Sequence, residues 1–174
     1  MGGIMKTVPA AALLVAALTG SAMSDDSRPR PCDSPDHRAF DFWLGDWTAA
    51  VTGDEAKLGG TNHIVAVQAG CVVLENWTGS SGLTGMSQNI FAGGRWHQIW
   101  TDSGGGLLVM EGERQGEAMI MQTATPTDWG DETPGFQRIT WTPNADGSVR
   151  QHGERSADGK IWTTNFDLTY RRAS

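Results

Sequence analysis

The sequence predicts an all-β protein, an antiparallel meander of about ten short strands behind one short helix, and three observations predict it. From Gly45 onward the chain breaks into short runs rich in Val, Ile, Thr and Trp. Between the runs stand hairpin-forming residues: Gly59-Gly60, Gly93-Gly94, Gly104 to Gly106, Asp146-Gly147 and Asp158-Gly159. The 23 glycines interrupt any window long enough for a long helix. A length of 174 residues fits one domain, and two cysteines exclude a disulfide-dense scaffold.

The elements follow in order. Residues 1–22 carry Lys6, an apolar run from Val8 to Leu18 and the small residues Gly20, Ser21 and Ala22, the pattern of a secretory signal peptide. The run is too short to span a membrane, which takes about 20 apolar residues. Cleavage is expected after Ala22 or within a residue or two of it, leaving a secreted or periplasmic protein for which no lipid or membrane anchor is expected. Residues 23–35, rich in Ser, Asp, Arg and Pro, read as a disordered lead-in to a single domain over 36–172. In an oxidising compartment Cys32 and Cys71 are expected to pair, two free buried thiols being the alternative. Phe40, Trp43 and Leu44 recur at helical spacing, so Asp36 to Leu44 is expected to form a short helix capped by Asp36 and ended by Gly45. The expected strands are 46–52, 60–68, 71–78, 85–92, 96–102, 107–113, 118–123, 136–142, 148–155 and 161–171. Such a meander must close or stack on itself to remove its edges. Asn76-Trp77-Thr78 matches a glycosylation acceptor, but its apolar setting reads as strand.

Alternation along the strands separates their faces. In the last strand Trp162, Phe166, Leu168 and Tyr170 share the core parity. Elsewhere tryptophan alternates with polar groups: Glu75 with Trp77 on one strand, and Trp96, Gln98, Trp100 and Asp102 on another. That mixture suits a cavity wall, where aromatic surfaces set the shape and a few polar groups orient a ligand.

The opening Phe40-Asp41-Phe42-Trp43-Leu44-Gly45-Asp46-Trp47 resembles the start of calycin-type barrels, the group of lipocalins, fatty-acid-binding proteins and nitrobindins. More closely, residues 32–172 resemble a family of bacterial secreted proteins of unknown function. That likeness rests on this opening, Gly70-Cys71, Glu75-Asn76-Trp77, Gly94 to Gln98 with Trp100 and Asp102, Arg138 to Pro143, and Phe166 to Arg172. The resemblance implies a lipocalin-like barrel and no particular activity. Nitrobindin-like proteins hold haem through a histidine near the chain end. The closing strand has none and His152 is the only one nearby, so no cofactor is expected.

The leading functional expectation is a binding protein with a small, partly apolar ligand in the barrel. Trp77, Trp96 and Trp100 would stack on that ligand and Asn89 and Gln98 would orient it, ordinary core packing of the tryptophans being the alternative. Arg138 with Glu75 and Glu154 would form a buried ionic group, Arg138 anchoring a polar head; a structural or solvent-facing salt bridge is the alternative. An enzyme of the same fold would use Glu75, Asp102 or Glu154 as acid or base. A third reading is a homodimer through outward Ile90, Ile99 or Trp141. His37, His63, His97 and His152 have no ligand spacing, so no metal is expected. A net charge of −7 with no basic run disfavours nucleic acid.

Overall fold

The structure, a computed structural model, describes Gly2, residues 31–128 and residues 133–173. The expected signal segment, Gly2 aside, and Trp129 lie outside the described residues. Ten antiparallel strands close into one barrel. In chain order they are β1 (Gly45–Val51), β2 (Asp54–Val67), β3 (Val72–Gly79), β4 (Thr84–Ala92), β5 (Arg95–Asp102), β6 (Leu107–Gln115), β7 (Ala118–Gln122), β8 (Phe136–Pro143), β9 (Val149–Ser156) and β10 (Thr163–Arg172). Each pairs with its neighbour in sequence, and β1 pairs with β10 to close the ring. Closure leaves no open edge along the sheet. The expected meander is therefore present, with two shifts of boundary.

The first concerns Gly59-Gly60. These glycines lie inside β2, and the chain turns earlier, at Thr52-Gly53. The register of β1 against β2 shifts twice, on either side of Ala50, so β2 carries extra residues there. Glycine at position 60 serves a close approach instead of a turn, because a Cβ would press on the Thr78 carbonyl oxygen and stand 2.7 Å from Cζ2 of Trp77. The second is a bulge in β10: Thr164 pairs with Glu154 but Phe166 pairs with Gly153, leaving Asn165 unmatched. The extra residue reverses the parity ahead of it. Phe166, Leu168 and Tyr170 consequently face inward as expected, whereas Trp162 lies over the Arg138 guanidinium, 4.1 Å from its carbon.

The segment before β1 fills one end of the barrel. Instead of a capped helix, it makes hydrogen-bonded turns followed by a single 3-10 turn at Asp41–Trp43. The Asp36 side chain caps nothing here; its carbonyl accepts a hydrogen bond from Trp96 Nε1 at 3.2 Å. Phe40 and Trp43 are fully buried and stack with centroids 5.0 Å apart. Phe40 also meets Trp96 and Trp141 edge-on at 5.6 and 5.2 Å. Trp141, an expected outward residue, thus belongs to the core. Its parity matches that of Gln137 and Ile139, both buried. Trp47 completes the group, donating from Nε1 to the Trp43 carbonyl at 2.8 Å, with Arg172 laid over its ring.

Cys32 and Cys71 form the expected disulfide, 39 positions apart, which fastens the start of this plug beside the start of β3. Part of the expected disordered lead-in, from Pro31 to Pro35, is therefore held in turns. Among the described residues no helix is long and apolar enough to cross a membrane.

Two stability measurements follow from this arrangement. Replacing both cysteines by serine should lower the unfolding free energy by about 2–4 kcal/mol in urea denaturation, with the far-ultraviolet β signature retained. Trp43→Ala should cost about 3–5 kcal/mol as a core truncation, whereas Trp162→Ala, at a half-buried outer position, should cost well under half of that.

Candidate ligand-binding site

Above the plug the interior is open. A cavity of ≈ 190 Å³ runs from Glu75 and Gln151 in the middle of the barrel to Leu83 in the β3–β4 loop, at the end away from the plug. Trp77, Trp100, Leu108, Phe166 and Leu168 supply most of its walls. Tyr170 is the partition: its ring meets Trp43 and Trp47 on the plug side and Trp77 on the cavity side, at 6.4, 6.5 and 6.1 Å. Its hydroxyl donates to Gln151 Oε1 at 2.6 Å.

Three wall rings lie against glycines of neighbouring strands. A Cβ on Gly85 would come within 2.2 Å of the Trp100 ring, one on Gly153 within 2.2 Å of Phe166, and one on Gly60 within 2.7 Å of Trp77. A ring that occupies the place of a missing side chain lies flat on the wall. The lumen beside it stays free.

A polar strip crosses the inner face of four adjacent strands. Asn62 of β2 donates to Glu75 Oε1 at 2.7 Å, and Ser87 of β4 donates to Oε2 at 2.6 Å. Asn89 donates to Ser87 Oγ and to the Val73 carbonyl, and Gln98 of β5 donates to Asn89 Oδ1 at 2.7 Å. The register sets these contacts, with Glu75 opposite Ser87 and Asn89 opposite Gln98. All five side chains are buried. Burial raises the Glu75 carboxyl from 4.5 to about 7, against the lowering effect of its two donors. Tyr170 is likewise pushed well up by burial, and then by the Glu75 charge.

The expected site residues now separate. Glu75, Trp77, Gln98 and Trp100 line the cavity. Asn89 lies behind them, joined to the lumen through Gln98. Trp96 packs on Phe40 and Phe91 in the plug core, because its position on β5 is one inward step closer to the plug end than that of Gln98. Arg138 and Glu154 follow the alternative reading, a structural salt bridge, and not the buried ionic group: they are paired across β8 and β9 at 2.9 Å on the outer face, where their parity is opposite to that of Ile139 and Gln151. No buried ionic group joins them to Glu75. Asp102 lies at the end of β5, accepting from Trp100 Nε1 at 3.1 Å and from the Gly104 and Gly106 amides, which shapes the β5–β6 turn.

Asn62, Ser87, Gln151 and Tyr170 complete the polar surroundings without having been singled out as ligand contacts. Ser87 shares the parity of Asn89, but its place beside Glu75 depends on the length of the β3–β4 connection. Ile90 and Ile99 are exposed on the outer face as expected.

The chain matches no protein-family profile, and no curated protein matches it.

The buried carboxyl sets a pH dependence. Between about pH 4.5 and 7 the unfolded chain releases the Glu75 proton while the folded protein keeps it, so its contribution to stability falls as pH rises through that window and levels off above it. Urea titrations from pH 4 to 8 should show Glu75→Gln gaining on the native protein across this window, by an amount on the order of 3 kcal/mol.

Proposed function

We propose that this protein binds a small molecule with an apolar, ring-sized body inside the barrel. The observation that carries the reading is the ≈ 190 Å³ cavity, walled by aromatic rings and furnished with one buried carboxyl. An apolar cavity of about 150 Å³ accommodates benzene, so this one has room for a single ring and a short tail. The body of the ligand would contact Trp77, Trp100 and Phe166, and its polar end would meet Glu75, Gln98 and Gln151. A calycin-like binding role agrees with the closed barrel and its plugged end. Secretion or periplasmic location is part of the same proposal, supported by the apolar run ahead of Ala22 and by the disulfide.

Acid–base catalysis at Glu75 is a second reading, favoured by its elevation to about 7. Asp102 and Glu154 have no part in it, being engaged in the β5–β6 turn and on the outer face. Self-association is a further reading, resting on Ile90 and Ile99 without Trp141; sedimentation at rising concentration checks it.

Binding is read by titrating single-ring compounds against tryptophan fluorescence and by native mass spectrometry of the purified protein. Gly153→Ala should push Phe166 into the lumen and weaken binding about tenfold or more, the equivalent of at least ~1.4 kcal/mol, while the circular dichroism stays unchanged. Equal affinity in that variant, or no occupant under any condition, removes the cavity as the site.

A further inference from the structure

Glu75 restricts the chemistry of the ligand, given the binding role proposed above. Each of its oxygens accepts one hydrogen bond, whereas a carboxylate offers about four acceptor positions. Among the described residues no cation pairs with it, and no Lys, Arg or His is among the residues lining the cavity. The site therefore has acceptors to spare and lacks positive charge.

A carboxylate or phosphate ligand would meet no counter-charge there and would approach a protein of net charge −7. A neutral ligand would leave the Glu75 carboxylate without a counter-charge. A cation supplies what the site lacks, and the Trp77 and Trp100 faces attract positive charge as well as apolar surface. We propose that the cavity takes a small aromatic amine in its ammonium form, with the ammonium group on the Glu75 carboxylate and the ring between Trp77, Trp100 and Phe166.

Protons balance simply. The ligand enters already protonated, and Glu75 gives up its proton to solvent wherever it held one. Ammonium binding then stabilises the carboxylate and pulls its pKa down. Affinity for the amine should rise with pH through the region near 7, by at most about tenfold per unit, and fall again only where the amine itself loses its proton. Proton release should be visible as a dependence of the calorimetric heat on the ionisation enthalpy of the buffer.

The experiment compares 2-phenylethylamine, 2-phenylethanol and 3-phenylpropanoate, which share a phenyl ring and a two-carbon spacer, by isothermal calorimetry at pH 6 and pH 8. The expected result at pH 8 is amine binding about tenfold or more tighter than alcohol, with propanoate weakest. Glu75→Gln should abolish that preference, bringing amine and alcohol affinities to within about twofold of each other. The native protein's pH dependence and proton release supply the same test without any substitution. Alcohol binding as tightly as amine at pH 8, or propanoate binding best, overturns the ammonium assignment and leaves the cavity reading standing. Failure of all three, with no occupant in native mass spectrometry, overturns both.

Discussion

The plug of Phe40 and Trp43 is the constraint on which the interior depends. A ten-stranded barrel encloses more volume than the side chains of one small domain fill evenly. Here the chain solves this by folding its own N-terminal segment into one end and packing it against Trp47, Trp96 and Trp141. The disulfide holds that segment to β3, so the plug reaches its place with less chain entropy to lose. Tyr170 then closes the filled half with its ring, and its hydroxyl, satisfied by Gln151, faces the open half. What remains empty is determined by what the plug occupies.

The polar strip across β2 to β5 lies just above this boundary. A carboxylate buried without a cation carries a desolvation cost of several kcal/mol, and two neutral donors offset only part of it. The outcome is a group balanced between its two protonation states near neutrality. Such a balance would be wasteful in a packed core, where a leucine would serve stability better. Its persistence beside an open lumen fits a group whose charge is completed by something that enters.

Much of the fold was legible because hairpin chemistry and alternation are local. The turns at Gly93-Gly94 and Asp146-Gly147 fall where the residues place them, with both glycines of the first at positive φ. The disulfide was legible from two cysteines behind a signal-like apolar run, a pattern that led to the expectation of an oxidising compartment. The failures came from features that local pattern does not carry. The bulge at Asn165 reversed the parity of Trp162, and no composition rule announces a bulge. The face of Arg138 and Glu154 was left open between a buried ionic group and a structural salt bridge, since charges that can pair look equally suited to either face. Trp141 has Thr140 and Thr142 as neighbours, so alternation isolates it but does not say which face is inside. Ser87 reaches Glu75 through a register fixed by the β3–β4 connection, which only the folded sheet reveals.

The eight tryptophans illustrate how one residue type serves two opposite ends. Trp43, Trp47, Trp96 and Trp141 fill space: they are buried against other rings and leave nothing open. Trp77 and Trp100 are only partly buried, and each rests on a glycine of the adjacent strand, Gly60 and Gly85. Had those positions carried side chains, the indoles would have had to stand away from the wall and enter the lumen. Large rings thus keep the cavity open because small residues lie beneath them. The pair is the unit that matters, since neither the tryptophan nor the glycine alone distinguishes a filled interior from a hollow one. The same logic joins Phe166 to Gly153 on the opposite wall. Three such pairs on separate strand contacts keep rings against the wall of a cavity in which Glu75 is the one acidic residue among those that line it.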